Sequence, residues 1–383
     1  MHCFDQFGRD IKNELLSTIP LGVNFQSWYS NDCLDKNNYG QNSLPEHIRK
    51  IKVTCPNVIL FHNDLLECGV EYNHDDKNFI SAGAQAYIDL VNQHPNTNFV
   101  LVITRENASS ELTHDRIQLV HFLSGMANEK SQYQSLMPET SKNFDSDKTF
   151  VSLNRHARQH RINLVSYLLG RDLEKYGIIS FRDNMVANGW LERVSWQLDQ
   201  RQENEIKPAL MLGYKKSKKL KLENTLNQVD MLYRESSFNN AMNFDISLRP
   251  MYRNCFIEIV PETSFNQPTF GASEKFLNSV YGCTFPILIG GCGLVNWLSD
   301  MGFDMFDDVI DHSYDQIKNP LDRLCAAIDL NIGLITDVDK VKKLWDQHRV
   351  RFELNVEFAK NKMYDWLRQR AIDEFQQVTW LKS

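Results

Sequence analysis

The chain has 383 residues, of which 42% are hydrophobic, so two domains with cores of their own are expected. Its net charge of −7 excludes a general polyanion binder, although a local basic groove is compatible with that average. The eight cysteines form no Cys-x-x-Cys pair, which disfavours a zinc site and suits a reducing compartment.

The sequence predicts a cytoplasmic protein. The first residues lack the basic region and apolar stretch of a secretory signal. The chain has no run of about eighteen apolar residues, so no integral membrane segment is expected.

The first domain is predicted to contain a parallel sheet. Residues 57–61 and 98–104 have strand composition, and residues 79–93 between them have helical periodicity. Ligands of parallel sheets bind at the carboxyl ends of the strands. Asp64 and Glu106 follow the two strands closely and are therefore candidate site residues, although an ordinary loop residue is the simpler interpretation of each alone.

Residues 127–148 are polar and are predicted to form a linker. A second α/β domain then begins with a strand at 149–153 and an amphipathic helix at 162–173. The turn between them is dense in cations, which suits a phosphate ligand. A salt-bridge network with Glu262 or Asp183 is the alternative. The candidate phosphate-binding residues are Asn154, Arg155, Arg158, His160 and Arg161.

Residues 183–228 are polar, and their one basic run is 215–221. A solvated loop is the simplest interpretation of that run. Contact with an acidic acceptor, including nucleic acid, is the alternative.

A strand–helix–strand unit follows at 255–260, 273–281 and 285–289. Ser273 is placed to cap the helix, and Glu274 and Lys275 lie in its first turn. The helix mouth offers free N–H groups and positive potential, Lys275 adds charge, and a carboxylate can accept sugar hydroxyls. This combination suits a sugar nucleotide. A solvated Glu–Lys pair is the alternative.

The C-terminal third is predicted to be helical. Residues 293–301 and 321–330 form short helices, and a long amphipathic helix opens at 337, with a break near Asn355. Asp337 and Asp339 fit helix capping better than metal binding. The chain lacks Walker, Gly-x-Gly-x-x-Gly and Gly-x-Ser-x-Gly motifs. No metal is expected.

Four blocks of the second domain resemble the donor-binding region of glycosyltransferases of the exostosin and α1,3-fucosyltransferase type, and in particular an exostosin-like group common in phages and marine bacteria. The resemblance covers about residues 149–330. The four blocks are Leu153-Asn154-Arg155 with His160-Arg161, then Glu262 and Thr263 followed by Ser273-Glu274-Lys275, then Phe285-Pro286-Ile287, and last the stretch from Leu298 to Asp315.

The resemblance implies a GT-B fold, in which two Rossmann-like α/β domains face a cleft and a long C-terminal helix crosses back. The expected boundaries are 1–148 for the acceptor-side domain, 149–345 for the nucleotide-sugar domain and 346–383 for the final helix. It implies that Glu274 binds the ribose, that Lys275 and Arg155 neutralise the diphosphate with Arg158 or Arg161, and that Glu262 orients the sugar or the basic residues. The fucosyltransferase pattern has Glu-Asn-Ser where this chain has Glu262, Thr263 and Ser264, so the donor sugar is not specified.

The sequence therefore predicts a metal-independent glycosyltransferase with a UDP- or GDP-linked sugar as donor substrate and no other cofactor. The acceptor is predicted to be a saccharide, with a hydroxymethylated base in phage-type DNA as the alternative. A general base, needed for inversion, is sought first at Asp64 and then at Glu106. A non-catalytic binding or assembly protein that retains the fold is the alternative of another class.

Overall fold

A computed structural model gives the fold. It describes residues 12–20, 23–30, 48–62, 82–103, 114–121, 136–154, 159–181, 198–219, 248–262, 265 and 272–378. Every helix within these ranges is too short or too polar to cross a lipid bilayer. The chain divides into two compact units. Unit 1 comprises Met1–Asn128, Asn266–Gly271 and Lys362–Ser383, and unit 2 comprises Glu129–Phe265 and Ala272–Asn361.

The described elements make an α/β protein with two parallel four-stranded sheets. The strands are β1 (Gln26–Ser30), β2 (Asn57–His62), β3 (Asn98–Ile103), β4 (Ile117–His121), β5 (Phe150–Asn154), β6 (Gly177–Phe181), β7 (Ile257–Pro261) and β8 (Phe285–Ile289). The helices named below are α1 (Ala82–Gln93), α2 (Gln159–Gly170), α3 (Gln200–Glu205), α4 (Lys207–Lys219), α5 (Arg249–Asn254), α6 (Glu274–Tyr281), α7 (Leu294–Met301), α8 (Pro320–Asp329), α9 (Ile332–Ile335), α10 (Val338–Gln347), α11 (Arg349–Asn361) and α12 (Met363–Gln376).

Unit 1 is built on a sheet whose strands follow the chain order, β1-β2-β3-β4, all parallel. Residues 58–61 and 99–102 in the central strands are buried without alternation, as expected when both faces of a parallel sheet are covered. The apolar face of α1 packs here through Tyr87, Leu90 and Val91. The predicted strands at 57–61 and 98–104 are confirmed. The sequence interpretation did not find β4.

The last helix, α12, belongs to unit 1 and packs on β4. Glu374 Oε2 accepts from the backbone N–H of His121 at 2.6 Å and lies 3.0 Å from His121 Nδ1. Arg370 Nε donates to Glu374 Oε1 at 3.0 Å. Burial favours the neutral form of Glu374, but these hydrogen bonds outweigh it, so the pKa of the carboxyl lies below its ordinary value.

Unit 2 contains the second parallel sheet, in the order β6-β5-β7-β8. All five residues of both β7 and β8 are buried. The predicted strands and the helix at 273–281 agree with these elements to within two residues. One layer of helices contains α2, α4 and α8, which pack together, while α6 packs on β7, β8 and α11. The buried strands β7 and β8 are thus typical of a parallel sheet covered by helices.

The contact between α2 and α4 depends on two glycines. A Cβ at Gly213 would collide with the carbonyl oxygen of Ser166, and a Cβ at Gly170 would collide with that of Ala209. The two backbones can approach closely only because neither position has a side chain. The basic run predicted as a loop begins in α4, which ends at Lys219. Residues 220 and 221 lie outside the described ranges.

Part of the predicted linker, residues 136–148, belongs to unit 2. The buried Lys142 ammonium donates to the carbonyl oxygens of Tyr252 at 2.6 Å, Cys255 at 2.8 Å and Gly282 at 2.7 Å. Burial lowers the pKa of Lys142 to about 8. The polarity that indicated a linker thus arises from side chains that bond to the core, and the units divide at 128 and 129 instead of 148 and 149.

The final stretch forms three helices, α10, α11 and α12, instead of one long helix. The breaks fall at His348 and Lys362, whose backbone angles depart from helical values. The break expected near Asn355 is wrong, because Asn355 lies inside α11. Its side chain accepts from Asp304 N and donates to Asp304 O, both at 2.8 Å.

The strand β8 is the outermost strand on its side of the described sheet. Its residue Leu288 donates its backbone N–H to Tyr314 Oη at 3.0 Å. His312 Nδ1 lies 3.1 Å from the same oxygen, and His312 Nε2 lies 2.8 Å from the carbonyl oxygen of Met305. Because a carbonyl only accepts, Nε2 carries the proton and Nδ1 accepts from Tyr314. Burial lowers the pKa of His312, consistent with a neutral ring.

Candidate functional site

The order of strands in unit 2 reverses between β5 and β7. From β5 the chain continues to β6 on one side, and it then returns to β7 on the other side and continues outward to β8. In open parallel sheets, ligands bind beyond the carboxyl ends of the strands where the order reverses. Asn154 ends β5 and Glu262 follows β7 directly. We call this end of the two strands the switch point.

Glu262 lies at the switch point with none of its surface exposed. Its Oε1 accepts from the backbone N–H of Ser273 at 3.1 Å, and its Oε2 accepts from Ser273 Oγ at 2.5 Å. Ser273 is the N-cap of α6. The carboxylate therefore occupies the end of α6 where free N–H groups and positive potential favour an anion.

Lys275 joins the same network. Its ammonium lies 3.0 Å from Ser273 Oγ, and its backbone N–H lies 3.4 Å from that oxygen. The side chain is partly exposed, so the ammonium remains in reach of solvent. Three of the predicted site residues, Glu262, Ser273 and Lys275, are thus brought together by the N-terminus of α6.

Asn154 and the start of α2 form the other side of the switch point. Asn154 donates from Nδ2 to the carbonyl oxygen and Oγ of Ser152, at 3.2 and 3.1 Å. Its Oδ1 is buried and has no hydrogen-bond partner within the described ranges. A buried carbonyl oxygen without a donor is uncommon in folded proteins. Asn154 therefore offers an acceptor for a hydroxyl or amide N–H.

His160 and Arg161 lie in the first turn of α2, and both are buried. The ring of His160 stacks on that of Phe265 with centroids 5.1 Å apart. Phe265 belongs to the connection between β7 and α6. This contact therefore links the start of α2 to the connection that carries Glu262 and Ser273.

No pattern in the sequence indicates a role for Arg323, which is almost fully buried on α8. Its guanidinium donates to the carbonyl oxygens of Gly290 at 2.9 Å, Phe265 at 2.7 Å and Ile317 at 2.6 Å. The group also lies over the Phe265 ring, 5.5 Å from its centroid. Burial lowers the pKa of Arg323, and Cys292 and Asp315 oppose that shift. Arg323 resembles a surface residue of an amphipathic helix in the sequence, so only the fold identifies it.

Asp315 occupies the N-terminus of α7, after the glycine-rich turn at 290–293. Its Oδ2 lies 3.2 Å from the backbone nitrogen of Val295 and 3.5 Å from that of Asn296. Burial raises the pKa of the Asp315 carboxyl, and these N–H groups oppose the shift. The turn therefore holds a carboxylate of the chain itself and is not an open phosphate cradle.

Several predicted residues lie outside the described ranges. Asp64 follows β2 by two residues and Glu106 follows β3 by three. The backbone of Glu274 begins α6, but its side chain is outside the description. The others that fall outside are Arg155, Arg158 and Thr263.

A pocket of about 560 Å³ lies elsewhere in unit 2, lined by Asn296, Gln316 and residues 307–313. None of the predicted site residues lines it. Its carboxylates take part in local contacts: Arg351 NH1 donates to both oxygens of Asp308 at 2.8 Å, and Asp311 accepts from Ser313. In the described ranges, no group of three or more His, Cys, Asp and Glu side chains is arranged to hold a metal ion.

Comparison of the chain with models of protein families, with curated proteins and with solved structures finds no match. Any proposal of function therefore depends on the fold and on the geometry of the switch point.

Proposed function

We propose that the chain is a GT-B glycosyltransferase that moves a sugar from a nucleoside-diphosphate sugar to a hydroxyl group. The observation that supports the proposal is the switch point, where Glu262, Ser273 and Lys275 form a network at the N-terminus of α6 and His160, in the first turn of α2, stacks on Phe265. A strand-order reversal with helix N-termini and cations beside it favours an anionic nucleotide ligand.

Charge neutralisation is the chemistry that these residues supply. Lys275 and Arg161, with Arg155 and Arg158 from the preceding turn, would stabilise the negative charge that develops on the leaving diphosphate. Since cationic side chains perform this task, the proposed reaction needs no metal ion. The sequence resemblance assigns the ribose to Glu274, and Asn154 Oδ1 is an acceptor for a donor hydroxyl.

Glu262 takes a positioning role in this proposal. Both of its oxygens bond to Ser273, and it has no exposed surface. A general base must reach the proton that it removes. Asp64 and Glu106 therefore remain the candidate bases, as in the sequence-based hypothesis, and Glu262 fixes the start of α6.

A saccharide remains the acceptor of choice, because Lys216, in the basic run, is already engaged by groups of the chain itself. Lys216 in α4 contacts Asp172 and donates to the carbonyl oxygen of Leu169 at 3.0 Å. A lysine engaged in this way contributes less to neutralising phosphates. If acceptor binding weakened steeply with salt, the DNA alternative would replace the saccharide.

The test is a calorimetric screen of the full chain against UDP, GDP, CMP and dTDP and their sugars, with and without a chelator. One nucleotide series is expected to bind, with or without chelator. Lys275→Ala should weaken that binding by about tenfold, since it removes one charge-assisted contact.

Lys340→Ala is the matched control, because Lys340 also lies in the first turn of a helix, α10, but away from the switch point. It should leave nucleotide binding unchanged. Absence of binding by every nucleotide would favour a binding or assembly protein over an enzyme. Equal binding by wild type and Lys275→Ala would show that Lys275 in α6 does not contact the nucleotide.

A further inference from the structure

Arg323 joins three segments of unit 2 at the carboxyl end of the sheet. Its Nε–H bonds to Gly290, directly after β8, and its NH2 group bonds to Phe265 in the connection after β7. Its NH1 group bonds to Ile317 and Lys318, at 2.6 and 3.3 Å. The connections after β7 and β8 are therefore held together by one side chain.

The bonds of Arg323 go to neutral carbonyl oxygens. No carboxylate lies within ion-pair distance of the guanidinium in the described part of the chain. The nearby acid Asp315 uses its carboxylate on the N-terminus of α7. Taking a cation out of water without a paired anion is unfavourable, so the burial of Arg323 calls for a role beyond filling the core.

Phe265 transmits the position of Arg323 to the switch point. The bond from Arg323 holds the backbone carbonyl of Phe265. The Phe265 ring lies beside both the guanidinium of Arg323 and the ring of His160. Glu262, three residues before Phe265, holds Ser273. Movement of Phe265 would therefore disturb both sides of the switch point.

We propose that Arg323 is a positioning residue of the donor site. It holds Phe265, in the connection between β7 and α6, so that His160 and the start of α6, which Glu262 fixes through Ser273, are positioned for a diphosphate group. This inference rests on the proposed function for the identity of the ligand. Arginine is required because its planar fork reaches carbonyls in different directions, whereas a lysine donates from a single nitrogen.

The experiment measures the binding of UDP, GDP and inorganic pyrophosphate to the full chain by calorimetry, well below the melting temperature of each variant. Arg323→Lys keeps the charge but loses the fork, and we expect about tenfold weaker binding of the ligand that wild type binds. Arg171→Lys is the matched control, because Arg171 pairs with Asp329 beyond the far end of α2. It should bind as wild type does.

A second variant, Phe265→Leu, removes the ring but keeps the carbonyl acceptor. We expect about threefold weaker binding. Adding Arg323→Lys to this variant should weaken binding by a smaller factor than it does in wild type, because Arg323 acts on the site through Phe265. A purely stabilising role would lower the melting temperatures and leave the affinity of the folded protein unchanged. If Arg323→Lys does not fold, the affinity of Phe265→Leu is the test. Unchanged affinity in that variant overturns the inference.

The outcomes separate this inference from the proposed function. Equal diphosphate binding by wild type and Arg323→Lys overturns the inference alone. Binding of pyrophosphate but of no nucleotide overturns the proposed function, and a loss in Arg323→Lys would then still support the inference. Binding of neither ligand by wild type overturns both.

Discussion

The two sheets of this protein have the same size and the same parallel pairing but differ in strand order. The sheet of unit 1 proceeds in one direction from β1 to β4, whereas that of unit 2 reverses between β5 and β7. Only a reversal sends the helices after adjacent strands to opposite faces and leaves a crevice between their starts. The site that we propose for the nucleotide therefore belongs to unit 2.

The units also differ in what they bury. Among the side chains that the structure describes, Thr97 is the one buried polar residue of unit 1. Unit 2 buries many, and the ionisable ones are Glu139, Lys142, His160, Arg161, Glu258, Glu262, Asp315 and Arg323. Buried ionisable groups need partners and are concentrated where function requires them. The stability of unit 2 should therefore respond to charge and pH more strongly than that of unit 1.

The largest effect is expected at Lys142. Lys142→Met keeps most of the side-chain volume but leaves the carbonyls of Tyr252, Cys255 and Gly282 without their donor. Unsatisfied buried acceptors should lower the free energy of unfolding by about 3 kcal/mol, as measured by urea denaturation. Lys148→Met, at a partly exposed lysine of the same segment, should change it by less than about 0.5 kcal/mol. Equal stability of the two variants would show that the buried ammonium is dispensable.

The next effect concerns Glu258 on β7. Burial raises the pKa of Glu258 from 4.5 to about 8, while the hydrogen bond from Tyr252 opposes the shift and Glu262 adds to it. A raised pKa means that the folded state holds the proton more tightly, so this contribution to stability is lost as the pH rises from about 4.5 to about 8. Glu258→Gln removes the titration.

Between about pH 6.5 and about pH 8.5, wild type should therefore lose about 2 kcal/mol of unfolding free energy that Glu258→Gln keeps. Chemical denaturation at a series of pH values measures the difference. Glu203→Gln, on the surface of α3, serves as the control and should follow wild type. A parallel course of Glu258→Gln and wild type would mean that Glu258 is ionised in the folded protein.

The smallest effect is the counterpart in unit 1. The pKa of Glu374 is lowered, so its stabilisation is present above the ordinary carboxyl pKa and is lost as the pH falls through the lower, folded value. Glu374→Gln should reduce stability by about 1 kcal/mol at pH 7, and the deficit should shrink below about pH 4.5. Its pH dependence thus has the opposite sign to that of Glu258→Gln.

The control for this comparison is Asp89→Asn on α1, where the carboxylate accepts from the exposed Gln85. It should show little change at any pH. A deficit of Glu374→Gln that grew toward low pH would contradict the assignment of Glu374 as an ionised partner of His121.

Local pattern was sufficient for the strands of unit 2 and for α6. The apolar run at 285–289 reproduces β8, and Ser273 caps α6 as its sequence context indicates. Asp337 likewise caps α10 through the N–H of Lys340 at 2.9 Å. These features depend on residues that are close in sequence, so single-chain patterns identify them.

Long-range contacts account for what was missed. Lys142 reaches carbonyls more than a hundred residues away, and Arg323 joins residues 33 and 58 positions before it. In the sequence both resemble solvated cations, because the residues next to them do not indicate which distant carbonyls they bond. The reversal of strand order is equally invisible, since local pattern gives strands but not their neighbours. Of the candidate site, Glu262, Ser273 and Lys275 were predictable, and Arg323 and Asp315 were not.

The hydrogen bond from Leu288 to Tyr314 has a consequence for self-association. The backbone groups of residues 286 and 288 lie on the outer side of β8 and point away from β7, since those of Phe285 bond toward it. Position 286 is a proline without an N–H, and the N–H of Leu288 is already bonded. An outer strand without a free N–H donor is a poor template for pairing with a strand of another molecule. This side of the sheet is thereby protected against edge-to-edge aggregation.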